Sequence, residues 1–194
     1  MKKYLLLGIS FLMMSTVANA QIKVAERKSP NKGVMEPSSI HAFVVKDIHG
    51  NDFSFKNLEG RKLIIVNTAS LCGNTPQYAD LQKLHQDYGA KVTVIGFPSN
   101  DFGEQEPGAN KDIAAFCRKM YGVTFPMMEK ISVTGETMHP IYKFLTGDKK
   151  RGGGEVSVRW NFQKFLIDEK GQVVRVLAPD ERIDSPAVID WIKG

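Results

Sequence analysis

Apolar residues run unbroken from Leu63 to Val66, a second β-branched run from Val92 to Ile95 is broken only by Thr93, and the stretch between them carries Tyr78, Leu81, Leu84 and Tyr88 at steps of three and four. A short, continuous, β-branched run marks a strand covered on both faces, as in a parallel sheet. The three-to-four step marks a helix. Strands are therefore expected over 63–68 and 92–97. Thr75 is placed to cap the helix between them and Pro76 suits its first position, where a missing N–H costs nothing. Gly89 closes it. The result is one βαβ unit, expected to be right-handed. Upstream, residues 42–46 and 52–55 flank His49-Gly50-Asn51 and predict a hairpin.

Downstream, Asn110 is a candidate cap for a helix reaching Met120, with Ile113, Phe116, Cys117 and Met120 on one face and Gly122 as the stop. Residues 127–133 read as a further strand, and 139–145 as a helix. Residues 162–168 and 172–177 form a second hairpin across Glu169-Lys170-Gly171. Asp184-Ser185-Pro186 opens a last amphipathic helix through Trp191. This order implies an α/β protein with a central mixed sheet flanked by helices and an N-terminal β-hairpin. It matches a thioredoxin-like fold.

The first twenty residues differ from the rest. Lys2 and Lys3 precede an apolar run too short to span a bilayer, and the segment ends Ala18-Asn19-Ala20. That three-part pattern is a secretory signal peptide over 1–20. Residues 21–37 are polar and rich in charge, and read as a flexible leader to a domain over 38–194. No other apolar run has the ~20 residues of a membrane span, so an exported protein without a stable membrane anchor is expected, periplasmic or secreted. Cleavage would leave 174 of the 194 residues and take the net charge from +5 to +3. One domain with a full core suits that length. The charge is too mild to argue for nucleic acid, and the Lys149-Lys150-Arg151 run reads as a solvated loop. Cys72 and Cys117 are the two cysteines. An oxidising compartment favours a disulfide, but a core of this size needs no staple, so the pair is open to a structural or a chemical role.

Cys72 lies just past the end of the first buried strand and before a helix start. Sites in open α/β sheets gather at the carboxyl ends of strands, and a helix N-terminus favours an anion. Both favour a thiolate, hence a nucleophile. The loop from Gly96 to Gly108 follows the second strand and should reach the same edge, carrying the Gln105 amide and the apolar Phe97 and Phe102. Trp160-Asn161 places an indole N–H beside an amide at the start of another strand. Uncharged N–H donors stabilise a thiolate without burying a second charge. Taken singly, Trp160 reads equally as core, Asn161 as a turn former and Gln105 as a solvated side chain.

Four blocks, N-T-A-S-L-C-G-N-T-P-Q-Y, G-F-P-S-N-D-F-G-E-Q-E-P-G, F-C-R-K-M-Y-G-V-T-F-P and W-N-F-Q-K-F-L, stand in order along the chain. Together they resemble the signature blocks of the glutathione peroxidase family, over nearly all of 38–194. The resemblance implies a thiol peroxidase that reduces hydrogen peroxide and organic or lipid hydroperoxides, in the response to oxidative stress. By motif position Cys72 is the peroxidatic residue, and Gln105, Trp160 and Asn161 complete the catalytic tetrad. Cys117 sits where thioredoxin-dependent relatives carry a resolving cysteine; on spacing alone it is equally an inert thiol on an apolar helix face. No cofactor is implied, and the reducing co-substrate is a thioredoxin-like protein or glutathione.

The chain departs from the family in places. Ser99 stands where many relatives have a third cysteine. Asp101 replaces the usual Gln and brings a carboxylate toward the site, where like charge would oppose a thiolate. The short 146–158 segment resembles monomeric members. Arg159 and Lys164 read as solvated. Two rivals remain in view: a thiol-disulfide oxidoreductase acting on other proteins, and a redox-sensing relay. Zinc is the weakest reading, since two distant cysteines and four scattered histidines show no ligand spacing.

Overall fold

The computed structural model describes residues 37–147 and 156–194. The expected signal segment over 1–20, the expected leader up to residue 36, the Lys149-Lys150-Arg151 run and most of the 146–158 segment lie outside these residues. Among the described residues, a 3-10 turn over Ile40–Ala42 leads into a short antiparallel hairpin, β1 (Val44–Lys46) and β2 (Asp52–Ser54), turning at Gly50 with φ +88°. Then come β3 (Lys62–Thr68), α1 (Gln77–Tyr88) and β4 (Val92–Pro98), the expected βαβ unit with its strands parallel. α2 (Asn110–Tyr121) and α3 (Pro140–Thr146) follow. β5 (Lys164–Ile167) and β6 (Val173–Leu177) form the second hairpin, and α4 (Pro186–Lys193) ends the chain.

The four-stranded sheet has the order β4-β3-β5-β6, with β5 antiparallel to β3 and β6 antiparallel to β5. β3 is central, and every residue from Leu63 to Thr68 is buried. Its alternate side chains feed two cores. Ile64 and Val66 pack with Tyr78, Leu81 and Leu84 of α1, Ile113 and Cys117 of α2, and Val188 and Ile192 of α4. Leu63 and Ile65 pack with Phe43, Val45, Phe55 and the α3 residues Ile141, Tyr142 and Leu145. Burying each such aliphatic side chain contributes about 1.5–3 kcal/mol. The continuous apolar run is therefore the physical cause of a sheet with helices on both faces.

Several local expectations are corrected. Residues 127–133 form no strand; Met127 and Met128 make isolated bridges to Gly96 and Asp47. Asn110 does not cap α2, because its Oδ1 accepts from the Lys130 backbone N–H at 2.9 Å. Met120 is 61% exposed and off the buried face, which consists of Ile113 and Cys117. Gly122 does stop α2, at φ +61°, its N–H returning to Arg118 and Cys117 carbonyls. Lys164 is not solvated. It is wholly buried, and its ammonium donates to the carbonyls of Ala178, Pro179 and Glu181 at 3.4, 3.0 and 2.8 Å.

Candidate active site

The carboxyl end of β3 opens into a tight corner. Thr75, expected as a helix cap, instead staples this corner. Its hydroxyl accepts from the Cys72 backbone N–H at 3.0 Å and donates to the Ala69 carbonyl at 2.9 Å. α1 proper begins two residues later. The staple holds Cys72 at 8% exposure, so its sulfur sits at the rim of the core rather than in bulk solvent. The Asn74 backbone N–H points at that sulfur from 3.4 Å. A main-chain donor at this position stabilises negative charge on sulfur without adding a titrating group.

Two other segments close on the corner. β4 runs into the Gly96–Gly108 loop, where Gly103 (φ +61°) and Glu104 (φ +52°) adopt successive left-handed conformations. That turn sends Gln105 back toward β3, and the Leu71 N–H donates to its carbonyl at 3.0 Å. From the other side, Asn67 at the end of β3 grips the 160–162 turn twice. Its Nδ2 donates to the Trp160 carbonyl at 3.0 Å, and its own carbonyl accepts from the Phe162 N–H at 2.6 Å. Phe162 has φ +68°, in a region that bulky side chains avoid. Such strain costs on the order of 1–3 kcal/mol and persists only where the surroundings hold it. Here the Phe162 ring is wholly buried edge-on to Tyr78, with centroids 5.3 Å apart.

The structure joins two of the expected residues, Gln105 and Asn161, directly, and reaches Cys72 from Asn161 only through Asn74. Asn161 is fully buried, and its Nδ2 donates to Gln105 Oε1 at 3.0 Å. Its carbonyl accepts from Asn74 Nδ2 at 3.4 Å, so Asn74 links the Cys72 sulfur to Asn161. Trp160 remains 40% exposed and packs its ring 5.5 Å from Phe102. Among the described residues, no hydrogen bond runs from the Gln105, Trp160 or Asn161 side chain to the Cys72 sulfur in this state. Asn161 Oδ1 is buried without a partner. Asp101 faces away: its Oδ2 accepts from Ser132 Oγ and the Val133 and Thr134 N–H groups at 3.0, 2.6 and 3.0 Å. It is tied to the 132–134 turn rather than brought to bear on the thiol.

Cys117 lies in the same apolar cluster as Cys72, is 1% exposed, and both thiols are free. Burial pushes the Cys117 thiol up to about 11, against the nearby Tyr78 hydroxyl and with the charge of Glu106 adding to the rise. In this state it is a protonated, packed thiol. Reading the sequence residue by residue missed Asn67, Asn74, Thr75 and Glu106 as builders of the site. All four lie within the first two of the quoted blocks, but nothing in the order of letters shows which side chain turns inward. Among the described residues, no three His, Cys, Asp or Glu side chains gather as a metal site.

The glutathione peroxidase family model matches residues 40–146. A glutathione peroxidase-like peroxiredoxin of Schizosaccharomyces pombe is 49% identical over 138 residues, covering 71% of this chain and 87% of the relative. A hydroperoxy fatty acid reductase of Synechocystis is 44% identical over 154 residues, covering 74% and 91%. Among solved structures, the apo form of Trgpx superposes with a TM-score of 0.63 at 35% identity, over 81% of this chain and 97% of that one. A thioredoxin-family thiol:disulfide interchange protein of Chlorobium tepidum superposes at 0.59 with 19% identity, over 81% and 97%, a likeness of fold alone. The chain therefore belongs to the glutathione peroxidase family and is a thiol peroxidase of its peroxiredoxin-like type.

Proposed function

We propose that Cys72 is the peroxidatic nucleophile and that Gln105, Trp160 and Asn161 hold its thiolate and place the hydroperoxide. The observation that carries this reading is the corner itself: a nearly buried sulfur with a main-chain N–H aimed at it, beside the Gln105–Asn161 amide pair. The Cys72 sulfur attacks one peroxide oxygen, the O–O bond breaks, and water or an alcohol departs. Cys72 is left as a sulfenic acid. Cys117 then resolves it as an intramolecular disulfide. Disulfide geometry needs Cα atoms within about 7 Å, so α2 opens to deliver Cys117. Two buried side chains, Ile113 and Cys117, hold that helix, which keeps the opening local. A thioredoxin-like protein or glutathione reduces the product.

The half-exposed Trp160–Phe102 rim offers an apolar approach to the sulfur. It supports fatty-acid hydroperoxides as substrates, in line with the activity named for the Synechocystis relative. The export signal over 1–20 puts this chemistry in the periplasm or outside the cell, where the reductant must also be found. The protein acts as a monomer.

One equivalent of a fatty-acid hydroperoxide added to the reduced mature protein, followed by intact mass, tests the reading. A loss of about 2 Da marks the Cys72–Cys117 disulfide. A gain of about 16 or 32 Da marks oxidation of Cys72 without resolution, leaving a small thiol as reductant. Cys72→Ser should show neither change. An unaltered mass in the wild type after minutes would refute the role given to Cys72.

A further inference from the structure

A groove separates α2 from the β1–β2 hairpin and encloses a cavity of about 670 Å³. One wall is the α2 face made by Lys111, Ala114, Ala115 and Arg118, which the i, i+3, i+4, i+7 spacing brings into line. The hairpin supplies the opposite wall through Asp47, His49 and Phe53, and the floor includes Ile48, Val123, Phe125 and Met127. A second hollow shares Ile48, His49, Lys111 and Ala114 and prolongs the groove toward Gly50 and Asn110. The two alanines leave space that larger side chains would fill. Cys117 lines the groove from the packed side of α2, at 1% exposure, and Cys72 does not line it.

The groove is apolar along its floor and cationic along its α2 rim. Lys111 and Arg118 are exposed, and among the described residues neither is in an ion pair. Two turns of helix set them about 10 Å apart. Asp47, the carboxylate among these lining residues, is engaged within its own turn. Its Oδ1 accepts from the His49 and Asn51 N–H groups at 2.8 and 2.9 Å, and its Oδ2 from Asn51 Nδ2 at 3.1 Å. An apolar trough with unpaired cations on its edge fits a ligand with a long apolar body and an anionic end. A guanidinium meets a carboxylate through two parallel N–H···O bonds, so Arg118 suits that end.

We propose that this groove binds the carboxylate of a free long-chain fatty acid, and that the bound chain holds α2 closed and so restrains the resolving step. The site is separate from the Cys72 corner. The restraint rests on the resolving role proposed for Cys117; the binding does not. A ligand in the groove touches α2 on one wall and the hairpin on the other. It binds while α2 is in place and loses a wall when α2 opens. A ligand that favours one of two states draws the population toward that state by its differential affinity. Opening, and with it disulfide formation, falls by the factor 1 + [ligand]/Kd. A reduced fatty-acid hydroperoxide is itself a ligand of this class, a hydroxy fatty acid. The product of the proposed reaction would thus slow further turnover.

Calorimetric titration of the reduced mature protein with dodecanoate, kept below its micelle concentration, tests the site. One-to-one binding is expected. It should weaken roughly 10-fold or more when Lys111→Glu and Arg118→Glu are combined, at exposed positions that the fold does not need. Ala114→Leu, which fills the trough without changing charge, should weaken it too. No binding to the wild type, or wild-type binding in both variants, overturns the site. Rapid-quench mass spectrometry with hydrogen peroxide reads the restraint. With dodecanoate at ten times its Kd, disulfide formation should slow about 11-fold. Sulfenic-acid formation, followed with a chemical trap, should keep its rate, and the charge-reversed variant should lose the slowing. An unchanged disulfide rate overturns the restraint. Equal slowing of sulfenic-acid formation puts the ligand at the Cys72 corner and overturns the separate site. A wild type that forms no disulfide overturns the resolving role and the restraint with it, and the titration alone then decides the site.

Discussion

Replacing Lys164 by Met would test the most unusual charge in the core. Its side chain is wholly buried, and its ammonium is surrounded by three carbonyls from the 178–181 turn. Burial pulls its pKa from 10.5 to about 8, with the charges of Glu181, Asp180 and Asp80 opposing the fall. An unfolded lysine holds its proton to a pH of about 10.4, whereas the folded one releases it near 8. Between those values the unfolded chain binds more protons, so stability from this group rises with pH. The full difference is worth about 3 kcal/mol. Roughly 2 kcal/mol of it appears between pH 7 and about pH 9.5. Lys164→Met has no such proton, and the carbonyls it leaves without a donor contribute a pH-independent offset. Urea unfolding of both proteins under reducing conditions at the two pH values isolates the effect, because every other titrating group is shared. The stability of wild type relative to Lys164→Met should grow by about 2 kcal/mol toward high pH. A gap constant to within about 0.5 kcal/mol would show that the three carbonyls replace water fully, and would refute the reasoning.

Other substitutions probe the frame around the sulfur. Thr75→Val removes both bonds of the staple and should cost about 1–3 kcal/mol in denaturant unfolding, with a slower first reaction of Cys72 with hydroperoxide by stopped flow. Gly122→Ala places a side chain at φ +61° with nothing within 4 Å, so conformational strain alone should destabilise the end of α2 by about 1 kcal/mol. Faster amide exchange over 110–121 in the reduced protein would register it. Gly96→Ala sets a Cβ 2.5 Å from Met127 Sδ. Pushing that side chain aside should cost about 1–3 kcal/mol, read as a lower melting temperature.

The βαβ unit was legible because its signal is local. The β-branched run of β3 and the periodicity of α1 need no distant partner to be recognised. The reading of 127–133 as a strand failed for a non-local reason. Its apolar residues do face the core, but its backbone bonds are divided among Gly96, Lys46 and Pro98 instead of following one neighbour. Lys164 shows the same limit. A lysine at the start of a strand reads as solvated until the 178–181 turn, more than a dozen residues later, folds over it. Gln105, Trp160 and Asn161 stand out as candidates through the motif blocks. Their mutual arrangement is not, since it depends on Asn67 holding the 160–162 turn and on two left-handed residues reversing the loop before Gln105. Glu106 stands next to Gln105 in sequence, yet its burial depends on Ser70, 36 residues earlier.

Lys130 has a mechanical consequence. Its ammonium donates to the carbonyls of Glu106, Pro107 and Gly108, ahead of α2, while its own segment is stitched to β4 by the Gly96–Met128 and Pro98–Ile131 backbone bonds. Both ends of the 109–126 stretch are thereby moored near one point on the sheet edge. If α2 lets go, as the proposed resolving role of Cys117 requires, the stretch would swing as a closed loop on fixed hinges. Cys117 lies near its middle, some nine residues from either mooring, and an extended chain of that length spans about 30 Å. That is ample slack for the crossing to Cys72 that the proposed resolving role requires, with β3 and β4 carrying no part of the motion.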